Sequence, residues 1–195
     1  MTRRRLAEIG AVAIVAIALG WALFAALGRQ LASPTPDAEP PTPVADPATA
    51  VGPRISATLY FVSEDGMALV GVPHDVPLGS TPVAQARALV EAQMSTEPPA
   101  PLARAVPAGV TVRGVFLPGR DDAYVDLDSA FVKTLPGGSH NELLAAYALV
   151  SVLTTNLSPV ARVQILIDGR EVETLAGHVD LREPLRKNEG LIHIP

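Results

Sequence analysis

The chain has 195 residues, which fits one domain of ordinary size together with appendages, because domains cluster near about 100 to 150 residues. It contains no cysteine, which excludes disulfides, thiolate chemistry and a lipid-modified N-terminal cysteine. The net charge is −5 at pH 7, and basic residues cluster only at the N-terminus, so nucleic acid is not an expected partner.

Residues 9–28 form a continuous apolar segment, IGAVAIVAIALGWALFAALG, without charge or proline. About 20 such residues are enough for a helix to cross the hydrocarbon layer. Arg3, Arg4 and Arg5 precede the segment, and basic flanks tend to stay in the cytoplasm. The pattern predicts a cytoplasmic N-terminus at residues 1–8, a single transmembrane helix at residues 9–28 and an extracytoplasmic C-terminal part.

A cleavable signal peptide is the alternative, since Ala26-Leu27-Gly28 resembles a cleavage site. The apolar core of a signal peptide usually has about 7 to 15 residues, which favours an uncleaved anchor here. Residues 29–54 are rich in proline and alanine and lack aromatic residues. Such a composition cannot bury enough apolar surface to offset the entropy of ordering, so a disordered linker is expected, with a proline-motif recognition site as the alternative.

Residues 55–186 have the pattern of a folded domain. ATLYFVS and ALVGVPHDV predict two strands joined at Glu64-Asp65-Gly66, and the second strand is expected to stop near Pro73 because proline lacks a donor. Thr81-Pro82 predicts the start of a helix that ends near Met94. The residues expected on the buried side of this helix recur at helical spacing: Val83, Ala86, Leu89, Val90 and Met94.

The second half of the domain begins with two predicted strands, TVRGVFL and AYVDL. Ser139 and Glu142 have the spacing of a capping box before ELLAAYALVSVLTTN, a helix apolar on most sides and therefore expected to be central. Its strongest apolar stripe comprises Leu143, Ala146, Tyr147, Val150 and Leu153, and the residues that widen the stripe are Leu144, Ala148 and Leu149.

VQILI then predicts a strand, Asp168-Gly169 a two-residue hairpin turn, and residues 171–175 an antiparallel return. Residues 187–195 are expected to form a surface extension. The expected fold class is α+β, with a small, mostly antiparallel sheet and two main helices packed on one face.

The candidate chemical groups are more easily explained as structural residues. The turn accounts for Asp168, and Asp126 and Asp128 fit an exposed strand face followed by a capping aspartate. His178 and Asp180 have a spacing that could place two metal ligands together, but no metal motif accompanies them. The four histidines, which are expected in loops or caps, are His74, His140, His178 and His193. The sequence therefore predicts no catalytic, cofactor-binding or metal-binding residues and no cofactor.

Several segments between Leu59 and Leu185 together resemble the GerMN domain of sporulation and germination proteins. The most specific are VQILIDGREVETLAGHVDL and PAGVTVRGV, accompanied by LYFVSEDG and AYVDLDSAF. The resemblance implies a domain at the bacterial cell envelope that acts by association and carries no catalytic set. The protein is therefore expected to be a non-enzymatic interaction or assembly module on the cytoplasmic membrane. It is expected to bind an envelope protein partner or to associate with itself.

Two other functions stay open at this point. One is a module that binds a small envelope ligand, such as a peptidoglycan fragment, through Tyr124, Asp126 and Asp128 on an open sheet face. The other is a metal-assisted hydrolase, which would require His178 and Asp180 to converge with another histidine.

Overall fold

The computed structural model describes residues 52–193. The predicted cytoplasmic N-terminus, the predicted transmembrane helix and residues 29–51 of the predicted linker lie outside the described residues. Within residues 52–193, no helix combines the length and apolar character that crossing a bilayer requires.

A long antiparallel hairpin begins the described chain. Strand β1 (Arg54–Val62) pairs with strand β2 (Leu69–Pro77) along its whole length. The prediction that the second strand stops near Pro73 is therefore wrong. Pro73 pairs with Thr58, whose own N–H and C=O groups point away from β2 and bond Asn156. Residues that are directly opposite in an antiparallel pair both point their backbone groups inward or both outward. The nitrogen of Pro73 therefore faces the outer edge of the hairpin, and its missing donor costs no hydrogen bond between β1 and β2.

The first long helix, α1 (Pro82–Ser95), starts where the sequence predicts. Thr81 is the capping residue, and its hydroxyl oxygen accepts a hydrogen bond of 3.1 Å from the backbone N–H of Ala84. Ala86, Leu89 and Val90 are completely buried. Val83, predicted on the same buried side, is instead 43% exposed, because the first turn of α1 extends beyond the core.

A second sheet follows, built on strands β3 (Val112–Phe116), β4 (Asp122–Leu127) and β5 (Arg162–Ile167). β3 and β4 are antiparallel, whereas β4 and β5 are parallel. Helices α2 (Ala130–Thr134) and α3 (Ser139–Asn156) form the long crossover that a parallel pair needs. Strands β6 (Arg170–Glu171) and β7 (Leu185–Arg186) both pair antiparallel with the far edge of β5.

The expectation of one small sheet is thus corrected to two sheets, although the α+β class is confirmed. The C-terminal residues connect them. After β7, a short 3₁₀ helix (Glu189–Leu191) leads to strand β8 (Ile192–His193), which pairs in parallel with β2. The segment predicted as a surface extension therefore contributes a strand to the first sheet.

The core lies around α3, as predicted. α3 contacts α1, β1 and β5, and α1 contacts strands of both sheets, so the helices do not belong to one sheet alone. The apolar residues predicted along α3 are buried, except that Leu143 and Tyr147 of the strongest stripe are only partly buried. A helix that is apolar on most sides does not by itself indicate which side faces the core.

Candidate functional site

The turn between β5 and β6 explains two of the acidic candidates. Asp168 and Gly169 have positive φ angles of 51° and 75°, and they connect the paired residues Ile167 and Arg170. This confirms the predicted two-residue hairpin turn. Asp126 is buried rather than exposed, which corrects the predicted strand face. Its Oδ1 accepts a 2.7 Å hydrogen bond from the N–H of Gly169, and its Oδ2 lies 3.2 Å from Nε of Arg113.

Asp128 does not cap the helix that follows it. The capping position of α2 is Ser129, and no side chain there bonds the helix N-terminus. Tyr124 is half-buried, and both oxygens of Asp126 are already engaged by Gly169 and Arg113. The three residues proposed for a peptidoglycan fragment therefore do not form an open polar surface.

Glu142 is the most unusual polar residue in the described domain. It lies in the first turn of α3, yet it is 2% exposed. Its Oε2 accepts hydrogen bonds from the backbone N–H groups of Ala176 at 3.0 Å and His178 at 3.1 Å, and it lies 3.5 Å from the N–H of Val179. The Nδ1 atom of His178 is 2.6 Å from Oε1. Glu142 thus anchors the loop before Leu181 to the central helix.

The predicted capping box is consequently wrong. The capping position of α3 is Gly138, and Glu142 bonds the distant loop instead of its own helix terminus. Burial by itself would raise the pKa of Glu142. The hydrogen bonds from the His178 ring and the loop N–H groups outweigh that effect, and the pKa lies below its usual value. The carboxylate is therefore ionised near neutral pH.

A recess of about 410 Å³, here called the His178 recess, lies next to this anchor. Its lining includes Tyr147, the two residues that the metal hypothesis names, His178 and Asp180, and a second histidine, His140. The carboxylate of Asp180, however, is bound by Arg182, which lowers the pKa of Asp180 to about 2. Across residues 52–193, histidine, aspartate and glutamate side chains form no group of three suited to a metal ion.

The other two histidines lie in strands rather than in loops or caps. His74 belongs to β2 and His193 to β8, and both are exposed. His140 is in the first turn of α3, as expected from the sequence, and its Nε2 is buried without a hydrogen-bond partner among the described residues.

An apolar cleft of about 410 Å³, here called the Val83 cleft, lies on another part of the surface. Three segments meet there: the first turn of α1, the β3–β4 loop and the connection from α3 to β5. The lining residues are Pro82, Val83, Leu117, Gly119, Arg120, Leu157, Pro159 and Val160. Arg120 is the charged residue of this set. The sequence did not predict the cleft, because its walls come from segments far apart in the chain.

The outer edges of the first sheet are poorly suited to pairing with another strand. On β1, the side-chain amide of Asn156 bonds both the N–H and the C=O of Thr58, and the amide of Gln93 bonds both groups of Tyr60. The N–H and C=O groups of Val62 bond the backbone of Ala103. β2 is the middle strand of this sheet, but β8 pairs only with Leu69 and Val70. Along the rest of β2, Pro73 lacks the donor that an open edge would otherwise present.

Comparison with known proteins agrees with this architecture. A tandem GerMN-domain structure of the sporulation protein GerM from Bacillus subtilis is similar over 69% of this chain, with 20% sequence identity and a TM-score of 0.54. That match covers 46% of the tandem structure, so the chain spans less than half of its length. The first GerMN domain of the same protein matches 68% of this chain and is itself 97% covered, with 21% identity and a TM-score of 0.53.

No curated protein matches the chain. The family model described as "Germane: Sporulation and spore germination" matches residues 58–173, which is more than half of the chain and includes both long helices and strands of both sheets. The predicted family is thereby confirmed, and the protein belongs to the Germane, or GerMN-domain, family of sporulation and spore germination proteins.

Proposed function

We propose that this protein is a non-enzymatic interaction module of the bacterial cell envelope with a role in sporulation or germination. Residues 9–28 would anchor it in the cytoplasmic membrane, and residues 29–54 would link the anchor to an extracytoplasmic GerMN domain. The family supports the biological setting, and the apolar N-terminal segment supports the anchor.

The Val83 cleft is the observation that supports association of this domain with another protein. Its walls are mainly apolar, and Val83 keeps 43% of its surface exposed. Exposed apolar clefts with a polar margin are common at protein interfaces. The polar candidates have structural partners instead, since Asp126 holds a turn, Glu142 holds a loop and Asp180 is paired with Arg182.

Site-specific photo-crosslinking in intact cells tests this function. The full-length chain would carry benzoylphenylalanine in place of Val83, and a control chain would carry it in place of Arg170. Arg170 is exposed and lies beyond the opposite end of β5 from the cleft. We expect protein adducts from position 83 and none from position 170.

The variant Val83→Asp should keep its thermal midpoint, because Val83 lies outside the core at 43% exposure and an acidic side chain suits the first turn of α1, but it should lose the associated complex on native gels. Absence of adducts at position 83, or equal adducts at both positions, would contradict the proposed function.

A further inference from the structure

The chain contains two Asp-Gly pairs, Asp65-Gly66 and Asp168-Gly169, and each lies in the turn of a hairpin. An aspartate before glycine is prone to isomerisation, because glycine has no side chain to shield its amide nitrogen. That nitrogen attacks Cγ of the aspartate, a C–N bond forms, and one water molecule leaves as a cyclic imide is produced. Hydrolysis then returns the water to either carbonyl carbon of the ring, giving aspartate or isoaspartate.

Isomerisation of Asp168 would damage the hairpin formed by β5 and β6. In isoaspartate the backbone passes through Cβ and Cγ, so the two-residue turn would gain one methylene group. This turn connects the paired residues Ile167 and Arg170. Short turns fix the register of the strands that they join. The added backbone atom would therefore disturb the pairing of β6 with β5.

Strand β4 binds both backbone N–H groups of this turn. The N–H of Asp168 donates a hydrogen bond of 2.9 Å to the C=O of Leu127. The N–H of Gly169 donates a hydrogen bond of 2.7 Å to Oδ1 of Asp126, a residue that is only 7% exposed. Formation of the cyclic imide requires rotation about the Cα–C bond of Asp168. That rotation would break the hydrogen bond from Gly169 to Asp126, so the reactive nitrogen is restrained.

Arg113 on β3 contacts both carboxylates beside the turn. Its Nε atom is 3.2 Å from Oδ2 of Asp126, and its Nη1 atom is 3.6 Å from Oδ1 of Asp168. Asp126 thus uses one oxygen for Arg113 and the other for Gly169. The Cγ atom that would be attacked belongs to the carboxylate paired with Arg113, so the reaction would also have to break this ion pair.

The hydrogen bonds at the other pair, Asp65-Gly66, are local. The N–H of Gly66 bonds the C=O of Ser63 at 2.9 Å. The carboxylate of Asp65 accepts hydrogen bonds from the hydroxyl of Ser63 at 2.5 Å and from the N–H of Met67 at 3.0 Å. Loss of Asp126 or Arg113 leaves these bonds in place, so Asp65 is an internal reference for changes that affect the whole domain.

We propose that Asp126 and Arg113 protect Asp168-Gly169 from isomerisation, which makes this turn a latent modification site that the tertiary structure keeps closed. The proposal does not depend on the Val83 cleft or on association with another protein. It also gives a reason for a buried charge. Burial of a carboxylate costs free energy of desolvation, and here the carboxylate restrains the backbone nitrogen whose reaction would alter the hairpin.

Trypsin gives direct access to this turn, because cleavage after Arg162 and Arg170 releases the octapeptide VQILIDGR, residues 163–170. The purified full-length chain and the synthetic octapeptide would be incubated side by side at neutral pH. Chromatography and electron-transfer mass spectrometry would then measure isoaspartate at Asp168. We expect isoaspartate to form at least about tenfold more slowly in the folded chain than in the free octapeptide. Equal rates would overturn the proposal.

Two variants test the protecting residues. Asp126→Ala should speed isomerisation of Asp168 at least about fivefold, and Arg113→Ala at least about twofold, because each removes contacts that restrain the turn. Asp128→Ala is the matched control and should keep the wild-type rate, since no group of the turn bonds the Asp128 side chain in residues 52–193. In every chain Asp65, which lies in the tryptic peptide 55–87, should isomerise at its wild-type rate.

Local protection and general unfolding give different results in these samples. Equal acceleration at Asp65 and Asp168 would mean that Asp126→Ala loosens the whole domain, and it would overturn the proposal. An unchanged or slower reaction at Asp168 would overturn it too, and a slower one would identify Asp126 as a base that promotes the attack. The side chain of Arg113 is 48% exposed, so Arg113→Ala keeps the test decisive if Asp126→Ala does not fold.

Discussion

At the scale of single residues, Glu142 determines how the loop at residues 173–181 is held. Its carboxylate is almost inaccessible to water and is compensated by backbone N–H groups and the ring of His178. A buried charge is tolerated only when such partners replace water. His178 is 53% exposed, so the pair is a buried acid covered by a partly solvated ring. This geometry fits a structural anchor.

Glu142→Gln should destabilise the domain in a pH-dependent way. The folded-state pKa of Glu142 is below its ordinary value of 4.5, so its stabilising contribution is complete above that pH and is lost as pH falls through the folded pKa. We expect the variant to lose about 2 to 4 kcal/mol of unfolding free energy at pH 7 and progressively less below about pH 4.5.

Urea unfolding of both chains between pH 3 and 7 measures this difference. Glu91→Gln is a suitable control, because Glu91 is exposed on α1 and pairs only with Arg87 among the described residues. Its effect should stay within about 0.5 kcal/mol. If the loss of unfolding free energy in Glu142→Gln does not change with pH, the stabilising effect of Glu142 does not depend on its charge.

At the scale of secondary structure elements, side-chain amides protect an edge strand. Gln93 on α1 and Asn156 on α3 each bond both backbone groups of one β1 residue, so two helices complete the hydrogen bonds that a neighbouring strand would have made. Gln93 is almost completely buried. Unprotected edges invite pairing with other chains, and this arrangement prevents it.

Replacing these amides should expose the edge. We expect Gln93→Leu and Asn156→Leu each to cost about 1 to 3 kcal/mol of unfolding free energy, because two backbone groups lose their partners in each case. The double variant should also form higher oligomers in analytical ultracentrifugation. Asn141→Leu makes the same change at an exposed position of α3 and should leave the chain's association state unchanged. A double variant with wild-type sedimentation would show that the amides do not guard the edge.

At the scale of the whole domain, the C-terminal segment couples the two sheets. β7 pairs with β5 in the second sheet, and β8 pairs with β2 in the first. Leu185 and Ile192 pack against the core as partly buried residues. The last residues of the described chain therefore contribute to the stability of both sheets.

Removal of residues 183–195 should loosen both sheets together. The lost packing of Leu185 and Ile192 predicts a decrease of about 2 to 4 kcal/mol in unfolding free energy, since each residue is partly buried. Hydrogen exchange followed by mass spectrometry should then be faster in peptides that contain β2 and in peptides that contain β5. Faster exchange in one sheet only would contradict the coupling.

Local features were predictable because short-range chemistry determines them. Thr81 and Pro82 start a helix through capping and a preset φ angle, and Asp168-Gly169 forms its turn because both residues tolerate positive φ. Strands β3, β4 and β5 follow from β-branched and apolar patterns. These features require no knowledge of distant residues.

The errors concern contacts between distant segments. Proline lacks a backbone donor, so the sequence predicts that the strand ends near Pro73. The pairing with Thr58 decides in which direction the missing donor would point, and the sequence does not specify that pairing. Glu142 fits a capping box by spacing, but a loop 34 to 37 residues away provides better partners. Val83 has the spacing of a core residue, although the first turn of α1 projects past the core.

The sequence by itself determined the α+β class, the start of α1, the main turns and the resemblance to GerMN domains, because each depends on local propensity or on a characteristic run of residues. Only the tertiary structure decided that there are two sheets, that Glu142 is an anchor and that the Val83 cleft exists. The physical reason is that burial and hydrogen-bond partnership belong to pairs of segments, and a linear pattern does not specify which distant segments meet.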